Sequence, residues 1–132
     1  MQARVVALLA LLSGACSDQV YEVPAGYTGW VEVDLGNPSC LPLRSEGGAK
    51  VVDVGIDGHG CTAEDFPGGL NRTRYFYVGN GTKRPIPRDL VNGESVAQDN
   101  VAGRPPRKYL VFFIGPKAEM RGFGLPRQPI RH

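Results

Sequence analysis

Apolar and polar residues alternate along several short stretches of this chain, and period-two alternation is typical of β-strands with one buried face. Residues 28–35 separate into two faces: Val31, Val33 and Leu35 on one, and Trp30, Glu32 and Asp34 on the other. Residues 49–57 alternate in the same way, and residues 20–23 and 72–78 have strand composition. The pattern therefore predicts a chain built from short strands.

The second half of the chain adds a predicted hairpin and a predicted central strand. Residues 79–81 read Gly-Asn-Gly, a hairpin turn signal, and 83–88 is the return strand, confined to a sheet edge by its prolines. Residues 108–114 are apolar on both faces, which favours a strand covered on both sides. One helical turn is predicted at 116–121, where Pro116 occupies the first position.

Residues 90–107 are polar and lack periodicity, which predicts a long polar loop. A structureless loop of this length is uncommon in a compact domain, so we expect that part of it either forms a strand without a clear sequence pattern or is mobile. The chain has 18 Gly and 11 Pro, and long helical periodicity is missing. Together these features predict an all-β fold of about seven strands, a small antiparallel β-sandwich or partly open barrel with one disulfide.

The first 16 residues indicate where the protein resides. A basic residue, Arg4, precedes an apolar run at 5–12 and small residues at 13–15, and Cys16 follows. This arrangement is a secretory signal that resembles a bacterial lipobox, in which the Cys is lipidated and the chain is cut before it. An ordinary cleaved signal with a chance Cys is the alternative. Because Ser17 follows Cys16, we expect an outer-membrane lipoprotein facing the periplasm.

The predicted organisation follows from that signal. It comprises a signal peptide at 1–15, a lipidated tether at 16–19, a single all-β domain at 20–122 and a disordered tail at 123–132. With Cys16 assigned to lipid, Cys40 and Cys61 remain as an even pair in an oxidising compartment, where disulfides persist. A zinc site on Cys40, His59 and Cys61 is the weaker alternative, because structural zinc takes four ligands.

Charge and titratable residues narrow the function. Residues 17–66 carry nine acidic and two basic side chains, and 67–132 carry four acidic and twelve basic. Either the basic half faces an anionic partner, or the two halves neutralise each other across a sheet. Calcium ligation by Asp53, Asp57, Glu64 and Asp65 is weighed and disfavoured, because the first two alternate outward on a strand.

No catalytic centre is expected. The histidines are His59 and His132; a hydrolase would depend on His59, because His132 lies in the predicted tail, and a disulfide-bonded Cys61 cannot act as a nucleophile. We therefore predict a protein that is not an enzyme and uses neither cofactor nor metal. Nucleic acid is not an expected partner of a lipoprotein outside the cytoplasm.

The segment from Val23 to Val31 reads Val-Pro-Ala-Gly-Tyr-Thr-Gly-Trp-Val. It resembles the opening motif of a family of small bacterial, often lipid-anchored proteins that is known only as a domain of unknown function. Further similar points are Cys40, Cys61-Thr62 and the aromatic segments at 75–78 and 112–115, so the resemblance covers about residues 21–122. It implies an extracytoplasmic setting and no particular chemistry.

Surface recognition is therefore the predicted activity, by a lipid-anchored, non-catalytic binding or structural module of the envelope. Trp30, Tyr75 and Tyr77 are the candidate contacts for a glycan or protein partner, because flat aromatic rings stack on ligands. The alternative for Trp30 is a second small core under a covering loop. The alternative function is a small secreted-type inhibitor of an envelope-attacking enzyme.

Overall fold

The computed structural model describes residues 18–65, 72–100 and 102–124. Within them the chain forms nine strands and two short 3-10 helices. The strands are β1 (Asp18–Pro24), β2 (Gly29–Leu35), β3 (Arg44–Glu46), β4 (Ala49–Asp53), β5 (His59–Cys61), β6 (Thr73–Gly79), β7 (Thr82–Pro85), β8 (Val91–Asp99) and β9 (Arg107–Ile114). The 3-10 helices span Arg88–Leu90 and Lys117–Phe123. No helix in these ranges is long and apolar enough to cross a membrane.

The strands form two mixed sheets that pack as a sandwich, so the predicted all-β sandwich is confirmed. One sheet has the order β3-β4-β1-β6-β7 and the other β5-β2-β9-β8. The sheets are less antiparallel than expected, because β1 pairs in parallel with both β4 and β6, and β2 pairs in parallel with β5. The predicted hairpin joins β6 to the edge strand β7, and Asn80 and Gly81 both have the positive φ of its two-residue turn.

The core lies between the sheets and contains the apolar face predicted for β2. Val31, Val33 and Leu35 pack there with the inward residues of β9, which are Leu110, Phe112 and Ile114. Tyr21 stacks on Tyr75 with ring centroids 5.3 Å apart, and Phe112 packs edge-on against both rings. As predicted, β9 is covered on both faces, since every residue from Tyr109 to Ile114 is buried.

The sandwich has two ends, which we name from the course of β1. The proximal end is where β1 begins at Asp18, and the distal end is where the corner at residues 25–28 turns the chain from β1 into β2. Leu35 therefore returns to the proximal end, where β9 starts. Glu64 links the two sheets there, because its carboxylate pairs with Lys50 of β4 and its carbonyl accepts from the amide of Gly36.

Four sequence predictions change in detail. The predicted polar loop is mostly strand β8, as the alternative allowed, and β8 bulges between Asn92 and Ser95. β4 ends at Asp53 instead of continuing to 57, so Ile56 lies in a turn and is 89% exposed. Asp18 and Gln19 belong to β1 instead of the tether. Phe123, assigned to the tail, ends the second 3-10 helix and packs against Phe113.

The predicted signal peptide at 1–15, the predicted lipid-attachment residue Cys16, and residues 125–132 of the predicted tail lie outside the described residues. The disulfide prediction is confirmed, since Cys40 and Cys61 are bonded with their Cα atoms 5.9 Å apart. The bridge joins the loop after β2 to the end of β5.

Ion pairs connect the acidic and basic halves of the chain, which supports neutralisation across the sheets. Arg107 of β9 pairs with Asp34 of β2 at 3.1 Å, and Lys83 of β7 approaches Glu22 of β1 at 4.0 Å. Two further arginines, at positions 72 and 74, lie 3.6 and 3.8 Å from Asp18.

Candidate functional site

A cleft of about 290 Å³ opens at the distal end of the sandwich. The corner after β1, the first half of β2, the start of β5 and the end of the second 3-10 helix form it. Its lining residues, which we call the distal cleft, are Tyr27, Thr28, Gly29, Trp30, Glu32, Asp57, His59 and Phe123. It therefore combines aromatic rings, carboxylates and an imidazole.

Trp30 forms part of the aromatic side of this cleft and is partly buried. Its indole nitrogen donates to the carbonyl oxygen of Gly124 at 2.8 Å, and its ring packs edge-on against Phe113 at 5.5 Å. A side chain at Gly93 of β8 would approach within 3.1 Å of the Trp30 ring. Trp30, Phe113 and Phe123 form a partly exposed aromatic cluster beside the second 3-10 helix, which corresponds to the second small core offered as the alternative for Trp30.

The corner after β1 is built around the hydroxyl of Tyr27, which donates to the Trp30 carbonyl oxygen. Burial raises the pKa of Tyr27, and the charges of Asp57 and Glu32 add to that rise. Gly58 makes this arrangement possible, because an added Cβ would lie 2.1 Å from the Tyr27 hydroxyl and 2.6 Å from the Trp30 carbonyl oxygen. Gly58 also has φ +82°, which favours glycine.

His59 lies between two carboxylates. Its Nε2 is 3.3 Å from Glu32 Oε2 and its Nδ1 is 3.4 Å from Asp57 Oδ2. Glu32 is only 4% exposed, although alternation places it on the outer face of β2, because β5 and the corner cover it. Asp57 is anchored by its own turn, since its Oδ1 accepts from the His59 amide. A carboxylate therefore lies beside each of the two ring nitrogens of His59.

These groups suit binding through stacking and hydrogen bonds. Phe123 is 48% exposed at the rim and offers a flat apolar surface. Asp57, whose side chain is 70% exposed, offers an acceptor beside it, and the 39% exposed imidazole of His59 adds a second flat ring. Aromatic faces next to carboxylate and imidazole groups can accommodate a ring that carries hydroxyl or amino substituents.

The predicted aromatic contacts on β6 are corrected by the fold. Tyr75 is 4% exposed and lies in the core, and Tyr77 is half-buried against that core, because odd positions of β6 face inward. The residue between them, Phe76, faces outward under the ammonium group of Lys83, 4.7 Å from the ring centroid. Tyr75 therefore presents no ring to a partner. The structure leaves Trp30 as the predicted contact residue that lines a cleft.

A second cleft, of about 490 Å³, lies at the proximal end between the turn after β2 and the loop before β9. Arg107 and Asp34 form an ion pair in its wall, and Asn37 donates to the same Asp34 carboxylate. Three prolines at 38, 105 and 106 make up much of the remaining wall. We call it the proximal cleft.

The residues weighed for metals serve other contacts. The sulfur atoms of Cys40 and Cys61 form the disulfide, which removes the thiolates that a zinc site would need. Asp53 pairs with Arg44 and Glu64 with Lys50. Across residues 18–65, 72–100 and 102–124, no three His, Cys, Asp or Glu side chains are grouped to hold a metal ion.

Sequence reasoning singled out Trp30 but missed most of the cleft around it. The alternation places Glu32 on the face opposite the apolar residues, and the predicted tail includes Phe123. The signal that could have found the site is the Gly-Tyr-Thr-Gly-Trp segment at 26–30, whose glycines allow the corner to fold over β5.

Comparisons with known proteins found one matching family model and a solved structure of similar fold. The model of a family of unknown function, DUF6843, matches residues 15–114. The fold is similar to the crystal structure of a "putative lipoprotein" from Bacillus anthracis, with a TM-score of 0.68 and 17% sequence identity. That similarity covers 89% of this chain and 85% of the other. No curated protein matches the chain by sequence.

Proposed function

The chain belongs to this family of unknown function, and we propose that it is a lipid-anchored envelope protein that binds a ligand in the distal cleft without catalysing a reaction. The lipobox-like sequence that ends at Cys16 supports the anchor. The lipoprotein name of the structural relative is in keeping with it. Ser17 supports placement in the outer membrane facing the periplasm, and separation of inner and outer membranes tests that placement.

The observation that carries the binding proposal is the convergence of Trp30, Glu32 and His59 at one end of the sandwich. These residues come from β2 and β5, which are held in register by parallel pairing. A cleft supported by two paired strands is largely pre-formed, so a ligand loses little binding free energy to reorganisation.

Two features support a binding role over a catalytic one. The imidazole of His59 faces carboxylates at both nitrogens rather than a serine or thiol. Cys61, two residues away, is held in the disulfide. A nucleophile activated by a histidine needs that histidine within hydrogen-bond reach. Incubation of the purified domain with isolated envelope polymer should release no soluble fragments, and fragment release would contradict the non-catalytic proposal.

The ligand class is tested by capture from envelope extract, with the non-lipidated domain that begins at Ser17 as bait. Enrichment of glycan by the wild-type domain is the expected result. The variant Asp57→Asn keeps the acceptor for the His59 amide but removes a charge from the cleft, so it should capture less. Asp53→Asn is the matched control, because Asp53 is similarly exposed but pairs with Arg44 outside the cleft.

The same experiment separates the alternative function. An inhibitor of an envelope-attacking enzyme would capture a single enzyme in stoichiometric amount rather than glycan. Equal capture by wild type, Asp57→Asn and Asp53→Asn would place the binding surface outside the distal cleft.

A further inference from the structure

The first strand begins very close to the predicted lipid. Cys16 precedes Asp18, the first residue of β1, by two positions. Two residues span at most about 7 Å when fully extended. The acyl chains of a lipidated cysteine lie in the bilayer, so its backbone stays at the headgroup level. The start of β1 therefore cannot move more than about 7 Å from that level.

The proximal end consists of loops and strand ends from both sheets. The disulfide holds the loop at 36–43 against the end of β5, and residues 104–106 line one side of the proximal cleft. Leu41, in the first of these loops, is 83% exposed and next to bridged Cys40. A large apolar side chain thus projects from a cross-linked loop at the end where the chain meets its anchor.

We propose that the proximal end rests on the phospholipid bilayer, with Leu41 in the headgroup layer, and that the distal cleft faces away from the membrane. This inference rests on the proposed lipidation of Cys16. The structure contributes the short connection, the position of Leu41 and the opposite placement of the cleft.

Charge plays a small part in this contact. At the proximal end, Lys50 pairs with Glu64, and Arg72 and Arg74 share Asp18, which leaves a surplus of one positive charge among these groups. Exposed Arg104 and Lys108 are balanced by Asp65 and Asp99 at the same end. The tether and Leu41 therefore hold the domain in place, and the contact should persist in high salt and on vesicles of zwitterionic lipid.

The orientation gives the distal cleft access to the surrounding space. β1 has seven residues, and at about 3.3 Å per residue it carries the corner at residues 25–28 about 20 Å from the start of the strand. A ligand in the distal cleft would therefore be bound well clear of the headgroups.

The test uses lipidated protein in vesicles of phosphatidylcholine. The acyl chains of this lipid carry bromine atoms near the glycerol backbone, and bromine quenches the fluorescence of nearby tryptophan. The chain has one Trp, Trp30, in the distal cleft, so native emission reports that end. Leu41→Trp adds a reporter at the proximal end. Ile56→Trp is the matched control, because Ile56 is similarly exposed, at 89%, in a turn at the distal end.

We expect brominated lipid to quench the emission added by Leu41→Trp, with little loss from Trp30 or from Ile56→Trp. Equal quenching of the two added residues, or stronger quenching at position 56, would overturn the orientation while leaving the anchor in place. Protein that stays off the vesicles would overturn the anchor and the orientation together. Unchanged melting temperatures for both variants show that the fold is retained.

A longer tether provides a second measurement. Insertion of a flexible Gly-Ser segment between Ser17 and Asp18 leaves the anchor and the sandwich sequence intact but releases the domain from the surface. The difference in quenching between positions 41 and 56 should then shrink. A difference that survives the insertion would show that the short connection does not set the orientation.

Discussion

Single residues of the distal cleft contribute to stability as well as to the proposed binding, and Trp30 shows this most clearly. Its ring packs on Phe113, and its nitrogen bonds the Gly124 carbonyl oxygen. Because the side chain is only partly buried, we expect Trp30→Ala to lower the free energy of unfolding by roughly 2–3 kcal/mol, below the range for full burial. Urea denaturation measures this change.

Trp30→Phe is the control for that prediction. It keeps an aromatic ring against Phe113 and loses the hydrogen bond, so it should cost about 1 kcal/mol. An unchanged free energy of unfolding in Trp30→Ala would show that the second small core contributes nothing to stability. The residue would then act in binding alone.

Because of buried tyrosines in the main core, the free energy of unfolding should depend on pH in the alkaline range. Burial is the main cause that raises the pKa of Tyr75, followed by the hydrogen bond it donates to Glu94 at 2.8 Å; burial also raises the pKa of Tyr21. The folded protein therefore retains these protons above about pH 10, where the unfolded chain loses them. The contribution of these tyrosines to the free energy of unfolding should be constant up to about pH 10 and should fall as the pH rises further.

Urea denaturation between pH 7 and 11 measures this dependence, with Tyr75→Phe as the comparison. At pH 7 the variant loses the bond to Glu94, about 1 kcal/mol. Its stability should fall less steeply above pH 10, because one of the tyrosines with a raised pKa is gone. A slope equal to that of the wild type would mean that Tyr75 ionises equally in the folded and unfolded chains.

At the scale of elements, the corner after β1 depends on glycine at position 58. In Gly58→Ala the new Cβ would lie 2.1 Å from the Tyr27 hydroxyl, in addition to the strain of φ +82°. Gly81→Ala in the β6–β7 turn has the similar φ of +72° but nothing within 4 Å of its Cβ. We expect Gly81→Ala to cost about 1 kcal/mol and Gly58→Ala distinctly more.

Thermal denaturation compares these two glycine variants. Tyr27 fluorescence or its NMR signals should also shift in Gly58→Ala, because the hydroxyl must leave the Trp30 carbonyl. Equal destabilisation by the two substitutions would indicate that the corner relaxes freely and that Tyr27 is not held by Gly58.

The disulfide joins two elements that are adjacent only in the folded chain. Cys40 and Cys61 are separated by 21 residues. Closing a loop of this length restricts the unfolded chain and stabilises the fold by about 3 kcal/mol. The double variant Cys40→Ala/Cys61→Ala should lose about that much in urea denaturation. Thiol titration of the denatured wild-type domain without reductant should find no free thiol; two reactive thiols would contradict the bridge.

Strands marked by their own apolar residues could be predicted from sequence, and strands defined by their partners could not. β2 and β9 were recognisable because their burial follows their own pattern. β8 was hidden because both faces are largely polar, and its strand state comes from pairing with β9. The parallel pairs of β1 and β2 also escaped prediction, since no local signal specifies a distant neighbour. The cleft escaped for the same reason: Glu32 and Phe123 acquire their roles only when β5 and the 3-10 helix pack beside β2.

At the scale of the whole molecule, the anchor and the sandwich should be separable. The core that the structure describes is formed by residues of the two sheets, and the proposed lipid attachment depends on Cys16. We therefore expect Cys16→Ser to abolish fatty-acid labelling and move the protein from the membrane to the soluble fraction. The melting temperature of the purified domain should not change, because the substituted residue is not part of the core that the structure describes.

Ser17→Ala is the control for the anchor variant, because it alters the adjacent position and leaves the cysteine available for lipid. It should retain labelling and remain with membranes. Continued membrane association of Cys16→Ser with labelling intact would refute the lipidation site. Membrane association without labelling would instead mean that protein contacts hold the domain at the surface. If Cys16→Ser is released yet still captures ligand as wild type does, then the anchor determines where the distal cleft is presented and the sandwich determines what it binds.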